Sequence, residues 1–209
     1  MTDRRTKGGL VAIGICTGLW LIQNGVAGQD PPRPSSAEAF GGGSEHVPRS
    51  TVPPERPLRP SEPVRIRIPA VQVDAPLMRL GLGPDGSLDV PPAGNRNLAG
   101  WYKDGTPPGA RGTAVVAGHV DNARGPAVFY HLGSLKKGHT VEVVRKDGRT
   151  AVFTIDAIEV YDSEDFPEQR VYAASGQAEL RVITCGGTFS EKTGYRGNVV
   201  AYAHLTAVR

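Results

Sequence analysis

From residue 64 onward the chain alternates apolar and polar positions with a period of two. In VRIRI (64–68), Val64, Ile66 and Ile68 fall on one side and Arg65 and Arg67 on the other; in VFTIDA (152–157), Phe153, Ile155 and Ala157 alternate with Thr154 and Asp156. Successive side chains of a strand point to opposite faces, so this spacing predicts half-buried β-strands. Valine-rich runs at TAVVAG (113–118), HTVEVV (139–144), ELRVIT (179–184) and NVVAYAHL (198–205) predict more of them. Asp85-Gly86 and Asp147-Gly148 supply turns, the second between two strands as a hairpin. Helical periodicity is confined to AVFYHLGSL (127–135) and FPEQRVYAAS (166–175). About eight short strands with a few short helices predict a mainly β fold that closes, or nearly closes, into an eight-stranded barrel, because closure removes exposed strand edges.

Two segments before residue 64 follow neither period. In residues 1–29, Arg4, Arg5 and Lys7 precede an uncharged window from Gly8 to Gln29, centred on LVAIGICTGLWLI. That pattern predicts an N-terminal membrane anchor or signal segment. The weak small-residue cleavage site at Gly25-Val26-Ala27 favours the anchor. Basic residues ahead of it hold the N-terminus in the cytoplasm and send the rest of the chain outside, so the expected location is a single-pass membrane protein with its globular part extracytoplasmic. Residues 30–63 hold nine of the eighteen prolines, together with Gly41-Gly42-Gly43. Their composition predicts a disordered, extended linker. The domain boundaries read from sequence are therefore 1–29, 30–63 and 64–209.

Composition narrows the function classes. A chain of 209 residues with 39% hydrophobic positions can bury one core of ordinary size. The formal charge of +3 does not come from a basic cluster, because from Val64 onward 17 Lys and Arg mix with 15 Asp and Glu. Nucleic acid is therefore a poor match as a partner by charge pattern. Of the two cysteines, Cys16 lies in the hydrophobic run and Cys185 in the exported part, so they cannot pair within one chain. A lone exported thiol is either a buried structural residue or a nucleophile.

The neighbours of Cys185 favour the nucleophile. His119 emerges after TAVVAG, Cys185 after LRVIT and Arg196 at the entrance of the last strand. Three strand ends sharing one rim would bring together a thiolate to attack a carbonyl, an imidazole to move the proton and a guanidinium to stabilise the oxyanion. Asp121 and Trp101 are minor candidates for lining the groove, and His46, His131, His139 and His204 read as linker, surface or element-end residues. A metal centre is not expected, because no second motif with ligand spacing accompanies His119.

AGHVD, ITCGG and YRGNVVAYA, in this order behind an anchor and a proline-rich spacer, resemble the sortases, and GPAVFYHL after the histidine is most similar to the class F sortases of actinobacteria. The resemblance covers residues 64–209 and departs from the family pattern Thr-Leu-X-Thr-Cys at Arg181 and Val182. It implies a sortase-type barrel and a cysteine transpeptidase with Cys185 as nucleophile, His119 as acid and base, Arg196 as oxyanion stabiliser and Thr184 assisting at the substrate carbonyl. It further implies cleavage of an LPXTG-like sorting signal between Thr and Gly, a thioester, and transfer to an amine of a peptidoglycan precursor or a pilin lysine, with no cofactor. Hydrolysis is the expected side reaction when no amine is at hand. Two other readings compete with it. An L,D-transpeptidase would carry histidine and glycine close before its cysteine, and a tethered, non-enzymatic binding domain would hold Cys185 inert.

Overall fold

The structure is a computed structural model, and it describes residues 30–41, 52–190, 192 and 194–209. The proposed anchor at 1–29 lies outside the described residues, as do positions 42–51 of the linker. Among the described residues no helix is long and apolar enough to cross a membrane.

Eight strands close a barrel: β1 (Pro63–Ile68), β2 (Val73–Leu80), β3 (Ala99–Tyr102), β4 (Gly112–Gly118), β7 (Thr140–Arg145), β8 (Thr150–Asp162), β9 (Ala178–Ser190) and β10 (Gly194–Val208). The order around it is β1-β2-β3-β4-β9-β10-β8-β7, and β7 returns to β1. Two-residue strands β5 (Asp121–Asn122) and β6 (Gly125–Pro126) form a small ribbon after His119. The one α-helix among the described residues is α1 (Glu168–Tyr172), and Leu132–Ser134 forms a 3-10 turn. Both lie within the stretches where the sequence carries helical periodicity. The predicted class, a closed eight-stranded barrel with few helices, is the one observed.

Alternation explains the core. Ala114 and Val116 of β4, Leu180 and Val182 of β9, and Val199, Ala201, Ala203 and Leu205 of β10 belong to the large interior cluster with Ile66, Ile68, Phe153 and Ile155. Each large buried aliphatic or aromatic side chain contributes about 1.5–3 kcal/mol. The residues between them, Val115, Ile183, Val200 and Tyr202, form a second cluster on the opposite face of the same three strands, covered by Phe40, Leu88, Phe166 and Tyr172. This patch of wall is therefore apolar on both sides. In β1 the alternation fails at Val64, which is 37% exposed, because the pairing with β7 shifts register between Pro63 and Arg65.

The described parts of the expected linker lie against the barrel. Leu58 N–H donates to the Gly109 carbonyl at 2.7 Å and Glu55 N–H to the Leu205 carbonyl at 2.8 Å. Arg145, whose side chain is fully buried, donates to the carbonyls of Arg59 and Pro108 and pairs with Asp147. Farther upstream, the Phe40 ring meets Tyr202 edge-on at 4.8 Å beneath the Arg170 guanidinium, and Arg33 donates to the Gly187 carbonyl at 3.2 Å. A few anchors, chiefly Phe40 and Leu58, hold these stretches, and prolines reduce the conformational entropy lost in ordering them.

Candidate functional site

The site is built on three adjacent strands. β4 and β9 run parallel, with Ala117 opposite Ile183, and β9 and β10 run antiparallel, with Cys185 opposite Asn198. The β4–β9 offset is 183 − 117 = 66, and 185 − 119 = 66, so carrying the register two steps past its last pair sets His119 level with Cys185. By strand alternation Ala117, Ile183, Cys185 and Asn198 point away from the barrel interior. They line one groove with His119 and Thr184, and Leu88, Val90, Phe166 and Tyr172 form its apolar walls. The shared location is thus the outer face near the strand ends.

Within the groove His119 Nε2 lies 2.6 Å from the Pro91 carbonyl. A carbonyl only accepts, so Nε2 carries the proton and Nδ1 is the nitrogen that can exchange one. Thr184 is buried, and its hydroxyl donates to the Gly118 carbonyl at 2.8 Å. Its single proton thus ties β9 to β4. Cys185 is partly exposed and forms no disulfide among the described residues.

Arg196 is not among the groove-lining residues. It sits on β10 where the pairing with β9 shifts between Tyr195 and Gly197, and its side chain is 61% exposed, 3.9 Å from Glu164. Gly197, which follows Arg196, permits a close approach, since a Cβ there would run into the Tyr161 carbonyl oxygen. Gly187 adopts φ +81°, a conformation that favours glycine. Gly187 and Gly197 thus serve the backbone path around the thiol.

Asp121 accepts a hydrogen bond from the Tyr195 hydroxyl at 2.6 Å. Burial raises the Asp121 pKa above the ordinary carboxylate range, while the Tyr195 bond and the nearby His119 pull it down. Burial, followed by the Asp121 hydrogen bond and charge, raises the Tyr195 phenol well above its usual value. The pair links the turn after His119 to the strand that carries Arg196. Trp101 does not reach the groove: it is buried in the interior cluster and donates to the Thr106 carbonyl at 3.1 Å. His204 is buried, not peripheral, with Nδ1 2.9 Å from Asp156 and Nε2 3.0 Å from the Val52 carbonyl. His139 and His131 do sit at element ends, the former accepting from Lys136 N–H at 3.2 Å. No group of three or more potential metal ligands occurs among the described residues.

Sequence reasoning missed Leu88, Val90, Phe166, Tyr172 and Asn198. The first four are apolar side chains from loops and the short helix, with no local signature. Asn198 carried one legible signal, a polar residue at the head of the valine-rich run NVVAYAHL.

A sortase-domain profile matches residues 66–206. The fold is similar to that of Listeria monocytogenes sortase A, at 18% identity and a TM-score of 0.53, over 71% of this chain and 90% of that one. It is similar too to sortase A from Corynebacterium diphtheriae, at 20% identity and a TM-score of 0.53, over 72% of this chain and 62% of that one. Sortase C-1 from Actinomyces oris follows at 21% identity and a TM-score of 0.52, over 70% of this chain and 76% of that one. At such identities the likeness to these structures is one of fold. No curated protein matches the chain in sequence.

Proposed function

The chain belongs to the sortase family, and from that premise we propose that it is an extracytoplasmic cysteine transpeptidase acting on an LPXTG-like sorting signal. The observation that carries this reading is the groove holding His119 and Cys185 together, with Arg196 on the strand that pairs with that of the thiol.

The chemistry follows from these groups. The Cys185 thiolate attacks the carbonyl carbon between Thr and Gly, a C–S bond forms and the carbonyl π pair moves to oxygen. Arg196 supplies a permanent positive charge near that oxygen from the groove edge. As the tetrahedral species collapses, the C–N bond breaks and the His119 imidazolium gives its proton to the leaving amine. An incoming amine then attacks the thioester, passes a proton to His119 and releases the thiolate. Water in place of the amine gives hydrolysis.

The Pro91 carbonyl supports the histidine's role by orienting its ring through Nε2. Thr184 acts by fixing the spacing of the two strands. The acceptor would be a peptidoglycan precursor or a pilin lysine, and residues 1–29 would hold the enzyme at the membrane where its substrates are displayed, raising their effective concentration. Class F membership rests on GPAVFYHL and the surrounding motifs.

The test is to incubate the full chain with a fluorogenic LPXTG peptide and an amine. Cleavage and transfer by the wild type, absent in Cys185→Ala, is the expected result; equal rates in the two would overturn the assignment.

A further inference from the structure

The direct cross-strand partner of Cys185 is Asn198. It is 6% exposed, lines the groove with Cys185 and His119, and its Nδ2 has no hydrogen-bond partner among the described residues. Native proteins seldom leave such a donor unmatched, and a specific exception calls for an explanation. Packing does not supply one. On the same face of the sheet, Val200 of this strand and Ile183 beside the thiol are apolar and buried, so an apolar side chain at 198 would suit the local environment.

Directly opposite residues of an antiparallel pair hold their Cβ atoms about 4.5–5.5 Å apart on one face of the sheet. When the Cys185 sulfur bonds to a carbonyl carbon, the oxygen that gains the electron pair lies within a few ångströms of that sulfur, over the same face. Asn198, directly opposite on the neighbouring strand, carries its side-chain amide on that same face. Arg196, by contrast, is 61% exposed, so water competes for its donors and weakens each bond. A donor held in a desolvated groove needs no reorganisation when charge develops.

We infer that Asn198 is a catalytic residue, whose side-chain amide donates a hydrogen bond to the oxyanion formed on attack by Cys185; the inference rests on the transpeptidase reading above. No proton is transferred in this contact. The bond forms as the C=O π pair moves to oxygen and is released when the C–N bond breaks and the carbonyl is restored. The guanidinium and the amide divide the work: the first supplies net charge from the groove edge, the second a short, dry, directed bond.

Steady-state kcat and KM for the full chain with a fluorogenic LPXTG peptide and triglycine test this. The variants are Asn198→Ala and Asn198→Leu, the latter close in shape to asparagine without its donor. Rates are expressed per folded site, from the fraction of Cys185 that iodoacetamide labels as read by peptide mass spectrometry. Both variants are expected to lose kcat on the order of 10²-fold, the usual effect of removing one oxyanion donor. KM should stay within about threefold, since the contact belongs to the transition state. Asn198→Ala should melt no lower than wild type, because it removes an unmatched buried donor. Either variant keeping wild-type kcat, or a loss confined to KM, would overturn the inference. If the wild type fails to turn over the peptide, the transpeptidase reading itself is wrong, an outcome distinct from an active wild type with active Asn198 variants.

Discussion

The Thr184 hydroxyl donates to the Gly118 carbonyl at 2.8 Å, joining the residue before the thiol to the residue before the imidazole. The bond bridges two parallel strands at the point where β4 ends and its regular ladder stops supporting His119. Thr184→Val keeps the shape and removes the donor. The expected cost is about 0.5–1.5 kcal/mol in denaturant unfolding, from the lost bond to a buried carbonyl. The kcat for peptide cleavage should fall with it, and Thr184→Ser should restore both.

Arg196 offers a test with the opposite stability signature. Its side chain is 61% exposed and its ion partner Glu164 is 87% exposed, so the pair adds little to folding. Arg196→Lys should leave unfolding free energy within about 0.5 kcal/mol of wild type. Turnover should nevertheless drop by more than about tenfold, because an ammonium lacks the planar set of donors. Full activity in that variant would remove the guanidinium from the reaction.

Asp121 gives a pH dependence whose sign follows from burial. Its folded pKa is raised above the unfolded value of about 3.9, so its contribution favours folding below that pH and is lost as pH rises through the folded pKa. Asp121→Asn should therefore be more stable than wild type at about pH 7, relative to the difference between them at about pH 3. Tyr195→Phe removes a bond that lowers the Asp121 pKa, so the carboxyl should titrate at still higher pH by NMR. An unchanged titration would contradict the contact.

Arg145 is the strongest candidate for a stability defect far from the site. Its fully buried side chain satisfies the carbonyls of Arg59 and Pro108 and pairs with Asp147. Arg145→Ala should cost about 3–5 kcal/mol in chemical unfolding, since it leaves those groups without their cation.

Truncation tests whether the proline-rich stretch is structural. A chain starting at residue 64 loses the Leu58 and Glu55 backbone bonds, the Arg59 carbonyl and the Val52 carbonyl that meets His204. It should melt several degrees below a chain starting at residue 52, since about 1 kcal/mol already shifts Tm by 2–4 °C at this size. Equal melting temperatures would return this stretch to the status of a spacer.

The strands that were legible are those whose period two survives locally. TAVVAG, HTVEVV, ELRVIT and NVVAYAHL all appear, and the Asp147-Gly148 hairpin joins β7 to β8, with Gly148 at φ +82°. β2 and β3 were not legible. Pro76 interrupts the one, and the other is the four residues AGWY, read by neither length nor alternation. The element-end expectation for His204 fails because its neighbours Ala203 and Leu205 are apolar and buried, while Asp156 and the Val52 carbonyl provide polar partners for an imidazole buried there.

The sequence alone determined the element type, the barrel class and the identity of the candidate nucleophile, acid and cation, because side-chain alternation and motif chemistry are properties of a few consecutive residues. Tertiary structure decided that β4 lies parallel to β9 at an offset that levels His119 with Cys185, that Asn198 faces the thiol with an unmatched donor, and that Phe40 and Leu58 hold a proline-rich chain against the wall. These depend on which distant segments pair, and that choice is made by burial and hydrogen bonding summed over the whole barrel, against a loop-closure entropy that local sequence does not encode.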